Sequence, residues 1–373
     1  MSVVAVEPES KVRVSLVSLG YSEYASRLAL ALARHVPVQL HLVEWAARAN
    51  LSPQLMARVE SETELVLHPP FRRLVAPFQG FRMARQLKAF SPDVIHIQEA
   101  GAWTVAAMLE LIGRQTPVVV TMHDVIPHSG ADKDVRSRDA WAFERIRRRA
   151  DRVIVHGPTA ARDALALYPR FKERVEIIPH GALGDFDAPR PETQQGLFVF
   201  FGRAEAYKGL AVLLEAGRRL SARNKSFRVH IAGRGSDLDA RRNEIAGAAW
   251  ASVDERYLPA QEAETLLQSA QCVVMPYLDA TQSGVLAHAF NAGRPVIATS
   301  VGDLAEIVRH GENGLLVPPG DPEALAAAME RMLCEIGLSE RLAKGAERTA
   351  HSVMSWDAVA EATLTAYARA ELH

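Results

Sequence analysis

The stretch that decides the fold is residues 276–308, PYLDATQSGVLAHAFNAGRPVIATSVGDLAEIV. An apolar run at 273–275 precedes it, and a second apolar run at 295–299 follows a small-residue segment typical of a helix. The loop after the first run therefore opens directly onto a helix, at Ser283 and Gly284. Free N–H groups and the positive end of the helix dipole make such a start an anion site, suited to a diphosphate. An ordinary strand–helix connection of any α/β fold has the same pattern.

A second segment, LFVFFGRAEAYKG at residues 197–209, has the same organisation. Its apolar residues predict a buried strand that ends at Gly202, and Arg203 and Lys208 follow before the next helix. Two cations beside a strand–loop–helix junction are what a doubly charged leaving group such as a nucleoside diphosphate requires. The two segments together favour an anion-binding site over a pair of solvated surface charges.

At these residues the chain resembles the retaining glycosyltransferases of family 4, which have the two-domain GT-B fold. The family's F-x-G-R and K-G motifs match residues 201–203 and 208–209, and its E-A-x-A-x-G-x-P-V-[IV]-A-[ST]-x-x-G motif matches 288–302. The family's E-I-V and G-x-N-G-x-L-V motifs match 306–308 and 311–317. The resemblance implies an α/β protein with two doubly wound, Rossmann-like domains facing a central cleft. It also implies that the C-terminal helix returns to the first domain.

The resemblance assigns further donor-binding positions. The segment VHIAGRG at 229–235 is a strand followed by glycines, where the family places nucleotide contacts, so Gly233 joins Gly202 as a donor-binding residue. Tyr257 and Leu258 are predicted to lie at the end of the next strand, where the backbone can bond the edge of the base. Together with Arg203 and Lys208, these residues are expected to hold a nucleotide-diphosphate sugar.

The chain departs from the family pattern at two positions. The two glutamates of the family's E-x7-E motif fall on Ala280 and His288, and the sequence A-T-Q-S-G places it in a subset of the family. Gln282 can donate and accept hydrogen bonds with sugar hydroxyls, and His288 can bond a ribose hydroxyl. Neither residue supplies a carboxylate. We therefore expect both to bind the donor rather than to transfer protons.

The N-terminal half alternates apolar runs with helical periods. Strands are predicted at 12–19, 38–43, 94–97, 118–121 and 152–156, each near a helix, and this alternation favours a parallel, doubly wound sheet. Gly20 follows the first strand at its carboxyl end, where open sheets of this type bind ligands, and it lets an acceptor or a phosphate approach the backbone closely. A full dinucleotide fingerprint is absent there.

A His-Asp pair, His123 and Asp124, follows the strand at 118–121. Asp124 can orient the imidazole ring, and in family 4 a histidine at this place contacts the donor sugar near its reacting carbon. His123 is the matching residue. His123, Asp124 and His128 can also be interpreted as metal ligands, but the set is compact and the family chemistry generally needs no metal, so we expect no metal or other cofactor.

Length and composition agree with this class. At 373 residues the chain is long enough for two domains, and the proline-bearing segment at 189–195 predicts the boundary: domains at 1–190 and 191–355, with a C-terminal helix at 356–373. Two cysteines exclude a disulfide framework. No apolar run is long enough to cross a membrane, and the acidic N-terminus does not resemble a secretory signal. A cytoplasmic protein is expected.

Residues 71–90, FRRLVAPFQGFRMARQLKAF, mix basic and apolar side chains. Such amphipathic segments can rest on anionic lipid headgroups at the inner face of the cell membrane. Alternatively, a helix here packs its apolar side on the core and solvates the other side. The basic side chains are Arg72, Arg73, Arg82, Arg85 and Lys88. No aromatic stacking pattern accompanies the basic residues, so nucleic acid is not an expected partner.

The function implied by the resemblance is retaining transfer of a sugar to a glycan or polyprenyl-linked acceptor, in polysaccharide or glycolipid synthesis. The leaving diphosphate, held by Arg203, Lys208 and the helix start at Ser283 and Gly284, is stabilised as the glycosidic bond breaks. His123 steadies the developing positive charge or positions the sugar. Two alternatives stay open: a sugar-nucleotide 2-epimerase of the same fold, and a non-catalytic scaffold that has lost the family carboxylates.

Overall fold

The computed structural model describes residues 12–70, 73–99, 102–126, 131–185 and 191–371. Within these ranges the strands form two separate sheets, and every strand pair in both sheets is parallel. The predicted α/β architecture of two doubly wound domains is confirmed.

The first sheet has seven strands among the described residues, in the order β3-β2-β1-β4-β5-β6-β7. Its central strands are continuous apolar runs because helices cover both faces of a parallel sheet. The strands are Val14–Ser18 (β1), Val38–Val43 (β2), Glu64–His68 (β3), Val94–Gln98 (β4), Val118–Thr121 (β5), Arg152–Val155 (β6) and Val175–Ile177 (β7).

The second sheet has six strands in the described part of the chain, in the order β10-β9-β8-β11-β12-β13. In both sheets the first strand lies between the second strand and a later one, so each has a switch point at which ligands bind beyond the carboxyl ends. The strands are Leu197–Phe201 (β8), Arg228–Ala232 (β9), Ala251–Asp254 (β10), Cys272–Met275 (β11), Val296–Thr299 (β12) and Gly314–Val317 (β13).

Helices connect the strands in both domains. The first domain contains Ser22–Ala33 (α1), Glu44–Asn50 (α2), Pro53–Glu62 (α3), Ala76–Phe90 (α4), Trp103–Ile112 (α5), Ala131–Arg149 (α6) and Pro158–Leu167 (α7). The remaining helices are Leu210–Ala222 (α8), Ser236–Ala240 (α9), Arg242–Ala246 (α10), Ala260–Ser269 (α11), Gly284–Asn291 (α12), Leu304–Ile307 (α13), Pro322–Cys334 (α14), Leu338–His351 (α15) and Trp356–Glu371 (α16).

The five strands predicted in the N-terminal half are confirmed, with small differences at their ends. The sequence did not indicate β3 and β7. Both lie at the edges of the first sheet, where most side chains are only partly buried, so their apolar pattern is weak. The strand end predicted at Tyr257 and Leu258 is wrong: β10 ends at Asp254, and the two residues lie in the loop before α11.

The C-terminal helix α16 returns to the first domain, as predicted, and packs against α1. At its start, Trp356 Nε1 donates a 2.7 Å hydrogen bond to the carbonyl of Ala182. Near its end, the buried Tyr367 hydroxyl lies 2.7 Å from Nδ1 of His96 in β4. The first sheet ends at Ile177 and the second begins at Leu197, so the predicted boundary at 190/191 falls between them and stays a prediction.

Candidate active site

A cavity of about 290 Å³ lies where the two domains meet, beyond the carboxyl ends of β8 and β9. Residues of α1 and α2 in the first domain form one side of it, and loops of the second domain form the other. Several residues that the sequence assigned to donor binding line this cavity together: Gly202, Arg203, Gly233, Tyr257, Leu258 and His288.

Two glycines shape the floor of the cavity. Gly202 and Gly233 follow β8 and β9, with φ values of +105° and +144° that L side chains rarely adopt. A Cβ on Gly233 would lie 1.9 Å from the carbonyl oxygen of Gly202, so only glycine lets these two loops pass each other. Arg203 and Arg234 come directly after the glycines and line the cavity. The close approach of the loops therefore places two guanidinium groups beside the cavity.

Lys208 lies outside the residues that line the cavity and beside the start of α12. Its side chain is buried, with Nζ 3.8 Å from the centre of the Tyr277 ring. The Tyr277 hydroxyl lies 3.3 Å from Oγ of Ser283, the residue before Gly284. A Cβ on Gly209 (φ +71°) would lie 1.9 Å from the carbonyl oxygen of Pro276. The two loops that the sequence predicted to bind anions therefore touch, and a buried cation lies beside a helix N-terminus.

Gln282 carries an unsatisfied polar atom at this helix start. Its Oε1 is buried and has no hydrogen-bond partner among the described residues. Ser283, which precedes α12, makes no capping hydrogen bond, so no side chain caps the N-terminus of this helix. Buried acceptors are normally hydrogen-bonded, so this oxygen and the helix amides are suited to a ligand that brings hydroxyl donors and negative charge.

Buried polar contacts also hold the two domains together. Asp303, after β12, accepts hydrogen bonds from the backbone N–H groups of Thr159 (2.7 Å) and Ala160 (3.2 Å) at the start of α7. The hydroxyl of Thr281 donates a 3.0 Å hydrogen bond to Asp124 of the first domain. A carboxylate at a helix N-terminus satisfies free donors and interacts favourably with the helix dipole. Asp303 thus caps a helix of the opposite domain.

His123 belongs to a buried group of rings, the histidine cluster, that consists of His96, His123, His156 and His180. Its Nδ1 lies 3.1 Å from Nε2 of His156, its Nε2 lies 2.7 Å from the Gln98 side-chain amide, and Tyr21 stacks on its face at 3.8 Å. His156 Nδ1 must donate to the carbonyl of Ile178, 3.0 Å away. In a neutral His156, Nε2 then accepts a hydrogen bond from Nδ1–H of His123, and Nε2 of His123 must accept one in turn. All rings can therefore be neutral if the side-chain amide of Gln98 turns its NH₂ group towards His123.

Burial favours this neutral state. It lowers the pKa of His123 well below its ordinary value, with the neighbouring rings of the cluster acting in the same direction, and it lowers the pKa of His156 to about 4. Both ring nitrogens of His123 are bonded within the protein, so its predicted contact with a donor sugar stays a prediction. The structure brings it close to Gly20, since Tyr21, which follows that exposed residue, covers the ring.

The orienting role predicted for Asp124 is wrong. His123 is oriented by Gln98 and His156, and Oδ1 of Asp124 accepts a hydrogen bond from Thr281 in the second domain. The sequence could not reveal this because Gln98 lies on the neighbouring strand β4. His128, the third member of the metal-ligand interpretation, lies outside the described residues. No group of three or more potential metal ligands occurs within the ranges the structure describes.

Comparison with known proteins places the chain in a family. Residues 20–182 match the family described as Glycosyltransferase Family 4, and residues 195–335 match the family described as Glycosyl transferases group 1. The D-inositol 3-phosphate glycosyltransferase of Nocardia farcinica is 32% identical, over 94% of this chain and 85% of that relative. The chain belongs to the family 4 glycosyltransferases. A glycogen synthase of Mycobacterium tuberculosis is 28% identical over 76% of this glycosyltransferase and 70% of that protein.

Solved structures share the fold of this glycosyltransferase at low sequence identity. Anabaena HepE in complex with UDP-glucose superposes with a TM-score of 0.72 at 16% identity, covering 94% of this chain and 98% of that one. Sucrose-phosphate synthase from Thermosynechococcus elongatus gives a TM-score of 0.68 at 19% identity, covering 96% and 99%. The predicted GT-B fold and the prediction of an enzyme that transfers glycosyl groups are confirmed.

Several cavity residues of this glycosyltransferase were not predicted. Arg234 and Arg256 line it from the second domain, and Glu23 and Asn50 line it from the first. The Tyr257 hydroxyl donates a hydrogen bond to the side-chain oxygen of Asn50 across the domain junction. Glu23 lies in the first turn of α1, directly after the Gly20 loop. Its place beside a predicted ligand-binding loop could have marked it as a site residue. Asn50 had no such signal, because only the docking of the domains brings it to the cavity.

Proposed function

We propose that this glycosyltransferase moves a sugar from a nucleotide-diphosphate donor to its acceptor with retention of anomeric configuration. The observation that carries the proposal is the cavity at the domain junction, with its cations and the adjoining buried Lys208 beside the start of α12. A nucleoside diphosphate needs an apolar wall for its base and positive charge for its phosphates, and both are present. HepE, which shares the fold, has been solved with UDP-glucose.

Each part of the donor has a proposed partner. The base lies against Tyr257 and Leu258, while Gly202 and Gly233 let the nucleotide approach the backbone closely. Guanidinium and ammonium groups attract the diphosphate, and helix amides bond its oxygens. The residues proposed for the diphosphate are Arg203, Lys208, Ser283 and Gly284. The unsatisfied Oε1 of Gln282 accepts a hydrogen bond from a hydroxyl of the transferred sugar.

The chemical step that we propose requires no protein nucleophile. As the bond between the anomeric carbon and the leaving phosphate oxygen breaks, negative charge grows on the diphosphate, where the cations and helix amides stabilise it. The leaving oxygen takes the proton of the acceptor hydroxyl, which attacks from the same face, so configuration is retained. His123 positions the sugar through its neighbours Tyr21 and Gln98, which its buried ring holds in place, because both of its own nitrogens are already bonded. We propose that no metal takes part.

We propose a glycan or lipid-linked acceptor and contact with an anionic membrane surface. Of residues 71–90, Phe71 and Arg72 lie outside the described residues. In the described remainder, one side of the helix packs on the core, as the alternative interpretation expects, but Phe78 and Phe81 are 71% and 51% exposed and do not take part in that packing. Met83 and Leu87, on the other side of α4, are buried. The helix therefore offers apolar and basic side chains to the same exposed face.

The basic side chains beside this face that the structure describes are exposed: Arg73, Arg82, Arg85 and Lys88. Arg73 lies over the Trp103 ring at 4.2 Å, and the half-exposed Trp141 stacks on Trp103 at 4.5 Å, which extends the aromatic and basic surface beyond α4. Among the described residues, no helix is both long and apolar enough to span a bilayer. A location at the inner face of the cell membrane is part of the proposal.

The test is a panel of nucleotide sugars with glycan and polyprenyl-linked acceptors, in which release of nucleoside diphosphate is measured and the product's anomeric configuration is read by NMR. We expect a product whose configuration equals that of the donor. Arg203→Ala should lower turnover by about two to three powers of ten, whereas Arg309→Ala, at an exposed site, should leave it unchanged. An inverted product contradicts the mechanism, epimerised donor without acceptor product indicates an epimerase, and donor binding without turnover indicates a scaffold.

A further inference from the structure

Glu23 and His288 face each other across the domain junction. Oε2 of Glu23, in α1, lies 3.6 Å from Nε2 of His288, in α12, and both residues line the cavity. The separation is too long for a direct hydrogen bond. Neither Oε2 nor either ring nitrogen of His288 is hydrogen-bonded to any residue that the structure describes. An acceptor and an imidazole therefore meet at the cavity with their bonding capacity unused.

The carboxylate of Glu23 is held in a fixed orientation. Its other oxygen, Oε1, accepts hydrogen bonds from Nε of Arg27 (2.9 Å) and from the backbone N–H of Gly184 (2.6 Å). Arg27 is itself held by Asp185, at 2.7 Å. With Oε1 occupied by two donors, Oε2 is the atom that points to His288. A group fixed in this way loses little conformational entropy when it binds a ligand.

The pair has the chemistry of a receptor for two neighbouring hydroxyls. A carboxylate only accepts hydrogen bonds, and a neutral imidazole donates from one nitrogen and accepts at the other. Burial lowers the pKa of His288, which favours the neutral ring, although the nearby Glu23 acts in the opposite direction. A vicinal diol can donate to Oε2 of Glu23 and accept from the imidazole N–H. The same cavity offers an apolar wall and guanidinium groups, which suit the base and the phosphates of a nucleotide, so the ribose that joins them is the diol that fits this place.

We infer that Glu23, from the first domain, joins His288, whose ribose contact the sequence already predicted, in binding the ribose diol of the nucleotide, and that Glu23 is the residue that selects ribose. This inference rests on the proposed function, since it names a donor-binding residue of the same cavity. A nucleotide held by both residues bonds to both domains at once. Nucleotide binding then stabilises the contact between the domains.

The experiment compares a ribonucleoside diphosphate with its 2′,3′-dideoxy analogue by isothermal titration calorimetry. Uridine, guanosine and adenosine diphosphates are titrated first, and the tightest binder is used. The wild type should bind the ribonucleotide about tenfold to a hundredfold more tightly than the dideoxy analogue, as expected for hydrogen bonds to a charged group. Glu23→Gln should lose most of this preference while its affinity for the dideoxy analogue stays at the wild-type value.

Glu60→Gln is the matched control, because it makes the same change at an exposed glutamate of the first domain that does not line the cavity. It should keep the preference for ribose. Three results overturn the inference: equal loss of both ligands in Glu23→Gln, an equal effect of Glu60→Gln, or diol dependence that appears only with a complete nucleotide sugar. Wild-type protein that binds none of the three diphosphates contradicts the proposed function itself, which separates that failure from the failure of the Glu23 assignment.

Discussion

Replacing Lys208 by methionine tests whether its buried ammonium group acts on the leaving diphosphate. The side chain is 9% exposed, and Nζ lies 3.8 Å from the centre of the Tyr277 ring, so methionine fills a similar volume and still contacts the ring. Loss of the cation–π contact costs about 2 kcal/mol of stability when the contact is desolvated. The variant, however, no longer has to bury a charge, and this lowers the desolvation cost of folding. We therefore expect the free energy of unfolding to change much less than the activation free energy.

The expected effect on catalysis follows from the position of the cation. Lys208 is linked through Tyr277 to Ser283 at the start of α12, which is where the proposed mechanism places the negative charge that develops during transfer. Removing one such contact costs about 2.7–4 kcal/mol, or about two to three powers of ten in kcat. Because the charge on the diphosphate grows towards the transition state, kcat should fall more than KM rises.

The assay is steady-state release of nucleoside diphosphate by the wild type, Lys208→Met and Lys344→Met, with unfolding by urea measured on each. Lys344 is an exposed lysine of the same domain, so its replacement controls for the loss of one positive charge. A folded Lys208→Met variant with the kcat and KM of the wild type would refute the proposed role of this cation.

Three further predictions concern stability and membrane contact. Asp303→Ala should cost about 1 kcal/mol of unfolding free energy by uncapping α7, and unchanged urea unfolding would contradict the role of this contact. Burial lowers the pKa of His156 to about 4 and of His180 to about 3, so only the unfolded chain takes up protons as the pH falls below 6.5. Stability should therefore be full above pH 6.5 and fall towards pH 4 by about 1.4 kcal/mol per unit for each histidine, and urea unfolding that is flat across this range would contradict the buried cluster. Phe78→Ser and Arg82→Gln should each weaken sedimentation with anionic vesicles without changing urea unfolding, and equal sedimentation with neutral vesicles would contradict the electrostatic part.

Part of the candidate active site could be predicted because its residues lie in loops directly after buried strands. Gly202 and Arg203 follow the apolar run of β8, and Gly233 follows that of β9, so strand prediction alone places them at one edge of the sheet. Tyr257, predicted as a donor-binding residue, lines the cavity as well, although the end of β10 was predicted wrongly. The error arose because β10 is an edge strand with half-exposed side chains, whose limits the apolar pattern does not mark.

The orientation of side chains could not be predicted in the same way. His123 was recognised as a site candidate from its place after β5, but its partners Gln98 and His156 lie on neighbouring strands. Asp124, the adjacent residue in the chain, instead bonds the opposite domain. Adjacent residues at the end of a strand point in different directions, so closeness in sequence is poor evidence for a hydrogen bond between them.

The sequence by itself determined the two parallel sheets and the loops that carry Arg203, Lys208 and Ser283. The reason is local: buried parallel strands require continuous apolar runs, and glycines with unusual backbone angles mark the turns that follow. Only the tertiary structure decided that Glu23 meets His288 and that Asp303 caps α7. These contacts join residues of opposite domains, and they depend on how the two domains dock, which no local pattern of residues encodes.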